Sequence, residues 1–230
     1  MILNYFTPFC KPSNTLFLGY NKKQGEFSMI IKIIELALTA VIAYLIGSIS
    51  TGYLIVKSKT GQDIRTIGSG STGATNVKRV LGKKWFFIVL LLDAFKGALP
   101  VILAKLFVSA GAGFGLAPVI ASVFVIIGHS KSIFLNFKGG KSVASGVGTI
   151  LALNWIAGLI IAVIWGTITY TTKYVSVGSI IALALSPFIM YFLGSPIAYV
   201  CYCALGAIYI IYLHRENIKR LKDGCENKVR

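Results

Sequence analysis

Long apolar stretches alternate with short polar segments along most of this 230-residue chain. One apolar stretch begins at Met29 and ends near Ile49, and two others cover residues 85–107 and a segment that ends near His129. Apolar residues then dominate positions 143–213. Because a helix needs roughly 20 apolar residues to cross the hydrocarbon core of a bilayer, this pattern predicts an all-α polytopic membrane protein.

The distribution of basic residues predicts the number of spans. Lys and Arg concentrate in three polar segments, residues 57–84, 131–141 and 214–230. If all three face the cytoplasm, as basic loops usually do, an even number of spans separates the second from the third. The intervening apolar stretch divides into four pieces, 143–153, 156–171, 174–193 and 197–213. This division predicts about seven transmembrane helices and an N-terminus outside. The first piece would be only about 17 Å long as a helix, so five spans is the alternative.

The same pattern divides the chain into three parts. Residues 1–28 form an N-terminal extension, residues 29–213 form the transmembrane domain, and residues 214–230 form a C-terminal tail. Two interpretations of the extension stay open. It is either a short tail outside the membrane, or a stretch that precedes the true start of translation at Met29.

The composition excludes a soluble domain and therefore changes how the positive net charge is interpreted. The chain is 56% hydrophobic and 13% charged, which is too apolar for a soluble protein of this length. A net charge of +16 would suggest nucleic acid for a soluble chain, but loops on the cytoplasmic side of membranes are also basic. We therefore expect no nucleic-acid partner, and an anionic substrate remains open. Cys201 and Cys203 lie in an apolar stretch, and we expect both to be buried thiols.

Residues 63–79 form a polar loop rich in Gly, Ser and Thr between two apolar stretches. The segment Gly68–Gly73 matches the dinucleotide fingerprint G-x-G-x-x-G, but no strand precedes it as that motif requires. It also nearly matches a phosphate-binding P-loop, except that Ala74 stands where the lysine must be. The property that remains is a glycine-rich backbone whose N–H groups can surround an anion.

Ionisable residues inside the apolar stretches have two open interpretations each. Asp93 and Lys96 lie three residues apart on one helix face, and they form either a structural ion pair or part of a site. His129 is either a packed residue at the end of a span or a member of a site. His214, where an apolar helix meets basic sequence, either accepts a hydroxyl proton or lies at the interface. Neither histidine has an Asp after four intervening residues, so the acyltransferase dyad with that spacing is absent.

Several short motifs occur in a fixed order along the chain. They are Gly47-Ser48-Ile49, Asp63-Ile64-Arg65, Gly68-Ser69-Gly70 with Gly73-Ala74-Thr75-Asn76, Leu92-Asp93 with Lys96-Gly97, Gly128-His129, residues 137–141 with Val143-Ala144, and His214-Arg215-Glu216-Asn217-Ile218. Each motif alone is weak, but their order and spacing over about residues 29–226 are specific. In this set the chain resembles the bacterial acyl-phosphate:glycerol-3-phosphate acyltransferase family.

The resemblance implies an enzyme that moves a fatty acyl group from acyl phosphate to the 1-hydroxyl of glycerol-3-phosphate. Its products would be lysophosphatidic acid and phosphate, for phospholipid biosynthesis. It implies seven helices in the bacterial inner membrane, cytoplasmic motif loops and C-terminus, and no metal, nucleotide or other cofactor. The implied partners are both substrates, the lipid bilayer and the enzyme that produces acyl phosphate. A carrier for organic phosphates or lipids, and a paralogue with an altered substrate, are the alternatives.

The family motifs also imply roles for particular residues. Arg65, His214 and Asn217 are the predicted catalytic residues. Substrate binding is predicted for Ser48, Ser69, Gly70, Asn76, Lys138, Gly139, Gly140 and Lys141. Glu226 matches a glutamate that is tied to structural integrity.

The chain departs from the family pattern at five positions. Ser50 and Ser71 stand where the family usually has Pro and Asn, and Ser142 replaces a glycine. Lys131 and Ser132 replace an aromatic residue followed by proline. Ser71 keeps a hydroxyl but lacks the second hydrogen-bonding group of an amide. We expect these changes to affect substrate preference, rate and the conformation of the second basic segment rather than the class of reaction.

Overall fold

The computed structural model describes residues 14–108 and 115–229, with side chains from residue 24 onward. Every regular element in these ranges is helical, which confirms the predicted all-α class. The helices are α1 (Asn14–Ser48), α2 (Thr51–Thr60), α3 (Ala74–Leu81), α4 (Lys83–Phe107), α5 (Leu116–Ser130), α6 (Val143–Leu153), α7 (Trp155–Thr172), α8 (Val175–Phe192), α9 (Ile197–Leu213) and α10 (Arg215–Lys222). Two short 3-10 turns, Ile64–Thr66 and Ile133–Leu135, lie in the polar loops.

Several of these helices are long and apolar enough to cross a bilayer. Five candidate spans meet this test in the described ranges, and the bent pair α9–α10, with an angle of 58°, makes a sixth. Helix α6 has only 11 residues. The chain is therefore an integral membrane protein, and the count of seven spans stays a prediction.

Helix α1 begins before Met29, where the predicted N-terminal extension ends. Helix α1 continues without a break across Met29, so residues 14–28 belong to the same helix as the first span. Residues 1–13, which make up the rest of the extension, lie outside the described residues. Cys203 is buried but Cys201 is exposed, so the prediction for Cys201 was wrong, because residues two apart on a helix point in different directions.

The three basic segments meet at one end of the helix bundle, which we call the loop end. Arg65 in the first segment donates a hydrogen bond from Nη1 to the carbonyl of Leu135 in the second, at 3.0 Å. Lys141 in the second segment donates to the side-chain oxygen of Asn217 in the third. The third segment reaches the connection between α7 and α8, because the N–H of Val229 donates to the carbonyl of Lys173.

Helix α6 takes the chain to the opposite end of the bundle despite its shortness. Lys105, near the end of α4, donates to the carbonyl of Leu153 at 3.0 Å. The connections α6–α7 and α8–α9 then meet through a 2.9 Å hydrogen bond from Asn154 to Ser195. Helices α6 to α9 therefore alternate in direction, as a seven-helix topology requires.

Glycines bring four helix backbones into direct contact at the loop-end half of the bundle. A Cβ at Gly47 would overlap the carbonyl of Val125, so α1 lies directly on α5. A Cβ at Gly148 would overlap the carbonyl of Ala94, so α6 lies directly on α4. Small residues allow this close approach, and it is a common basis of helix packing in membranes.

A buried ion pair joins α4 to the break between α1 and α2. Lys96 Nζ lies 2.8 Å from Asp93 Oδ1, and both residues are almost fully buried. Thr51 donates to the same carboxylate oxygen at 2.6 Å, and Lys96 also donates to the carbonyl of Ile49 at 2.7 Å. Asp93 and Lys96 therefore form an ion pair, one of the two interpretations that the sequence left open.

Gly148→Ala tests the contact between α4 and α6. We expect this variant to unfold with a free energy about 1–3 kcal/mol lower than the parent, because the added methyl forces two backbones apart. Gly166→Ala in α7 is the matched control, since nothing lies within 4 Å of a Cβ at that position and alanine favours helix. Thermal unfolding in detergent measures both. Equal effects of the two variants would contradict the close packing.

Candidate active site

A cavity of about 110 Å³ lies at the loop end, where the three basic segments meet. Its polar and charged lining includes Ser69, Ser71, Thr75, Asn76, Arg79, Asp93, His129, Lys141, Ser142, Ser176, Ser179, His214, Asn217, Arg220 and Glu226. Its apolar lining includes Phe86, Leu90, Val143, Trp165 and Val175. The lining therefore combines cations and hydrogen-bonding groups with apolar side chains that can receive a hydrocarbon.

Asn76 gives the glycine-rich loop its shape. Its buried side chain accepts a hydrogen bond from the N–H of Ser69 at 3.1 Å and donates to the carbonyls of Ile67 and Ser71 at 2.9 and 3.0 Å. Gly68 has a φ of +60° and packs against the Asn76 amide, which a side chain would overlap. The Asn76 side chain thereby cross-links the backbone of the glycine-rich loop between Ile67 and Asn76.

The N-terminus of α3 forms part of the cavity wall. Helix α3 begins at Ala74, after the cap Gly73, and both residues line the cavity together with Thr75. The first N–H groups of a helix have no partner within it and attract anions. Arg79 projects into the same cavity from the next turn of this helix.

Arg65 joins the first basic segment to the second and does not line the cavity. Its guanidinium binds Asp63 at 2.6 Å and donates to Leu135 at 3.0 Å. Hydrogen bonds from Arg65 lower the pKa of the Asp63 carboxyl, and the same pair raises the pKa of Arg65. The guanidinium also lies over the ring of Tyr53, 5.4 Å from its centroid.

The second basic segment folds against His129. The N–H of Gly140 donates to the carbonyl of His129 at 3.1 Å. A Cβ at Gly139 would overlap that carbonyl, and a Cβ at Gly140 would overlap the imidazole ring. These two glycines therefore shape the loop rather than line the cavity, while the Lys138 side chain is exposed to the outside.

Lys141 is the cation of this segment that lines the cavity. Burial, with the nearby charge of Arg220 as a second cause, lowers the pKa of Lys141 to about 8. Its ammonium group donates to Asn217. Lys141 is thus a cation whose charge depends on pH within the working range of most enzymes.

Glu226 holds the third segment against the bundle. It accepts hydrogen bonds from Asn217 at 2.6 Å and Ser176 at 2.9 Å, and it pairs with Arg220 at 2.7 Å. Burial raises the pKa of this carboxyl, but the three hydrogen bonds outweigh burial and leave the pKa of Glu226 below its usual value. This network agrees with the structural role predicted for Glu226.

His214 is buried at the bend between α9 and α10 and lines the cavity. Its Nδ1 lies 2.8 Å from the carbonyl of Ile210. Because a carbonyl can only accept, Nδ1 carries the proton, and Nε2 of the neutral ring is left as an acceptor. This is the tautomer that a proton acceptor needs.

The structure brings together five of the residues predicted for the site. Those that line the cavity are Ser69, Asn76, Lys141, His214 and Asn217. The others, Ser48, Arg65, Gly70, Lys138, Gly139 and Gly140, lie outside its lining. Ser48 is fully buried, its carbonyl accepts a 2.6 Å hydrogen bond from Ser132, and its Oγ has no partner among the described residues.

Sequence reasoning left several lining residues out of the predicted site. Arg79 and Arg220 each follow a predicted site residue by three positions, Asn76 and Asn217 respectively, and this helical spacing was a usable signal. Trp165, Ser176 and Ser179 come from α7 and α8. Trp165 lies among apolar residues and gave no signal, whereas Ser176 and Ser179 lie three positions apart on one helix face, which was a usable signal.

Comparisons with known proteins decide the family. A family model described as glycerol-3-phosphate acyltransferase matches residues 37–224. The chain belongs to this family. A glycerol-3-phosphate acyltransferase of Nostoc sp. is 41% identical over 201 residues, which cover 82% of this chain and 89% of the relative. That of Gloeobacter violaceus is 43% identical over 190 residues, with 81% and 91% covered.

Two solved structures of the glycerol-3-phosphate acyltransferase family share the fold. The crystal structure of PlsY, an integral membrane glycerol 3-phosphate acyltransferase, in its glycerol 3-phosphate form has a TM-score of 0.79 and 36% identity. The match covers 85% of this chain and 96% of that one. The lysophosphatidic acid form has a TM-score of 0.76 and 34% identity, with 85% and 95% covered. The resemblance and the membrane fold predicted from the sequence are thus confirmed.

At three of the five positions that depart from the glycerol-3-phosphate acyltransferase pattern, the structure shows what the substituted residue contacts. Ser142 adopts a φ of +59°, a conformation that favours the family's glycine, and its hydroxyl donates to the carbonyl of Ile126 at 2.9 Å. Ser71 accepts a hydrogen bond from the N–H of Gly73 at 3.3 Å. Ser132 binds the carbonyl of Ser48, as described above. Nothing in the structure explains Ser50 or the side chain of Lys131.

The lowered pKa of Lys141 makes anion binding sensitive to pH. We expect affinity for a phosphate monoester to fall as the pH rises through about 8, approaching tenfold per pH unit above it, because only the ammonium form attracts the anion. The monoester itself stays fully ionised there, since its second pKa is about 6. Lys141→Arg should flatten the profile, because arginine keeps its charge. Calorimetric titrations between pH 7 and 9.5 measure this, and identical profiles for both proteins would contradict it.

Proposed function

We propose that the protein transfers a fatty acyl group from acyl phosphate to the 1-hydroxyl of glycerol-3-phosphate, releasing lysophosphatidic acid and inorganic phosphate. The observation that carries the proposal is a cavity lined by cations, the N-terminus of a helix, a buried histidine with an acceptor nitrogen, and apolar side chains. Family membership supports the acceptor substrate. The glycerol 3-phosphate and lysophosphatidic acid forms of the related PlsY support the acceptor and the product.

The cations supply the binding energy for phosphate groups. Lys141, Arg79 and Arg220 line the cavity from the second basic segment, α3 and α10, together with the N-terminus of α3. Charge-assisted hydrogen bonds to phosphate are stronger than neutral ones. Two phosphate-bearing substrates brought together in this cavity would react faster mainly because they are held in the correct orientation.

The apolar wall suits the acyl chain of the donor. Phe86 and Leu90 of α4, Trp165 of α7 and Val175 of α8 line the cavity and form what we call its apolar wall. A hydrocarbon chain gains roughly 0.8 kcal/mol for each CH₂ that leaves water. The acyl carbonyl would then lie where the apolar wall meets the cations.

The chemical step needs one proton acceptor and no strong acid. The 1-hydroxyl oxygen of glycerol-3-phosphate attacks the acyl carbonyl carbon, a new C–O bond forms, and the bond to the phosphate oxygen breaks. Phosphate leaves as an anion, so it needs little protonation. Two acceptors for the hydroxyl proton stay open, Nε2 of His214 and a phosphate oxygen of the substrate. Cations and backbone N–H groups stabilise the negative charge that develops on the carbonyl oxygen.

The residues predicted for the site then divide by what they contact. His214 stays a predicted catalytic residue and Ser69 a predicted substrate-binding residue. Asn217 orients Lys141 and Asn76 shapes the glycine-rich loop, so we assign both a positioning role. Arg65 acts through its link to Leu135, which fixes the first two segments relative to each other. Ser48, Gly70, Lys138, Gly139 and Gly140 shape or flank the loops around the cavity. The loop end faces the cytoplasm of the cell that makes the protein, at its inner membrane.

A reconstituted assay tests the reaction. Purified protein supplied with acyl phosphate and glycerol-3-phosphate should form lysophosphatidic acid, detected by mass spectrometry. Lys141→Ala should lower kcat/KM by about 10- to 100-fold, because a charged hydrogen-bond donor to the phosphate is lost. Lys222→Ala is the control, an exposed lysine of the third basic segment that lies outside the cavity. Absence of product, or equal effects of the two variants, would overturn the proposal.

Thiol labelling tests the orientation of the cavity. In a background with Cys10, Cys201 and Cys203 replaced by serine, the exposed Cys225 should resist an impermeant maleimide in intact cells and react after permeabilisation. Leu193→Cys without Cys225 is the control at the opposite end of the bundle, between α8 and α9, and should label in intact cells. The reverse labelling pattern would place the cavity outside.

A further inference from the structure

His129 lines the cavity but has no part in the mechanism described above. It lies near the end of α5 with 6% of its surface exposed. Its ring packs against Gly140, where even a methyl group would overlap Nε2. The imidazole is therefore held in one orientation by the loop that carries Lys141.

Hydrogen bonds of Ser145 fix the tautomer of this ring. Ser145 donates its single hydroxyl proton to the backbone carbonyl of Asp93 at 3.0 Å. The same oxygen lies 2.9 Å from His129 Nδ1, so Nδ1 must be the donor in that contact. The lone pair of Nε2 is left as an acceptor, and this atom has no hydrogen-bond partner within the described residues.

The charges around His129 favour a hydrogen-bond acceptor over a proton acceptor. The Asp93 carboxylate lies 3.8 Å from Nδ1, but it is already paired with Lys96 at 2.8 Å. A protonated His129 would add a second buried cation beside the Lys96 ammonium with no additional anion. The site therefore suits a substrate hydroxyl that keeps its proton during the reaction.

We propose that Nε2 of His129 accepts a hydrogen bond from the 2-hydroxyl of glycerol-3-phosphate and thereby selects a polyol phosphate. The inference rests on the proposed function for the identity of the ligand. The reacting 1-hydroxyl must lose its proton, which goes to Nε2 of His214 or to a phosphate oxygen of the substrate. The 2-hydroxyl keeps its proton and only donates a hydrogen bond. A rigid, buried acceptor discriminates strongly, because a ligand without the hydroxyl leaves Nε2 unpaired and unsolvated.

Binding of two ligands in the absence of any acyl donor tests the inference. Calorimetry would compare glycerol-3-phosphate with 3-hydroxypropyl phosphate, which lacks only the 2-hydroxyl. We expect the wild-type protein to bind glycerol-3-phosphate about 10- to 100-fold more tightly. His129→Asn keeps a donor near the position of Nδ1 and loses the acceptor at Nε2, so it should bind both ligands with nearly the affinity that the wild type has for the analogue. His129→Gln places an amide oxygen near Nε2 and should recover part of the preference.

Each outcome of this comparison decides between distinct explanations. Equal binding of the two ligands by the wild type would overturn the inference without any variant. An equal loss for both ligands in His129→Asn would show a structural role and would also overturn it. Failure of the wild type to bind either ligand would overturn the proposed acceptor substrate, and the inference with it. Selective binding with no acyl transfer from acyl phosphate would support the inference and contradict the proposed donor.

Discussion

The ion pair between Asp93 and Lys96 connects most of the elements that build the cavity. The pair lies inside the bundle, where a buried charge without a partner is costly. Removal of either residue would leave the other as such an unpaired charge. Through Thr51 and the carbonyl of Ile49 it holds the break between α1 and α2, from which the first basic segment departs. The backbone of Asp93 also binds Ser145 at the start of α6. The part of α4 that carries this ion pair thus contacts the chain just before the first basic segment and just after the second.

A second network, centred on Glu226, holds the third basic segment against the bundle. Glu226 is the anion around which Asn217, Ser176 and Arg220 gather, and Asn217 in turn holds Lys141. A buried carboxylate among cations stabilises them together where they would otherwise repel each other. The cavity can therefore carry several positive charges before a phosphate arrives, which is the preorganisation that electrostatic catalysis requires.

Sequence reasoning predicted the helices well because their ends carry clear signals. The pieces 143–153 and 197–213 coincide with α6 and α9, since Asn154 and Pro196 interrupt otherwise apolar stretches. The ion pair was recognised because charged residues are rare in apolar sequence. Helix α1 was harder to predict, because the polar residues before Met29 continue a helix whose start depends on more than hydrophobicity.

The site was predicted only in part, since tertiary contacts decide which cation faces the cavity. Arg65 and Arg79 look equivalent in a basic loop, but Asp63 binds Arg65 and α3 directs Arg79 inward. The glycines of the second segment are predicted to bind substrate; they are not among the residues that line the cavity, and they allow the loop to lie against His129. Family motifs mark these residues without saying which of them contact the ligand.

A structure of this protein with glycerol-3-phosphate bound, determined by crystallography or electron microscopy, tests the central claim most directly. The account predicts that the phosphate lies inside the cavity within hydrogen-bond distance of Lys141, with the glycerol directed toward His129 and His214. A phosphate bound elsewhere on the loop end, with the cavity empty or filled by lipid chains alone, would contradict it.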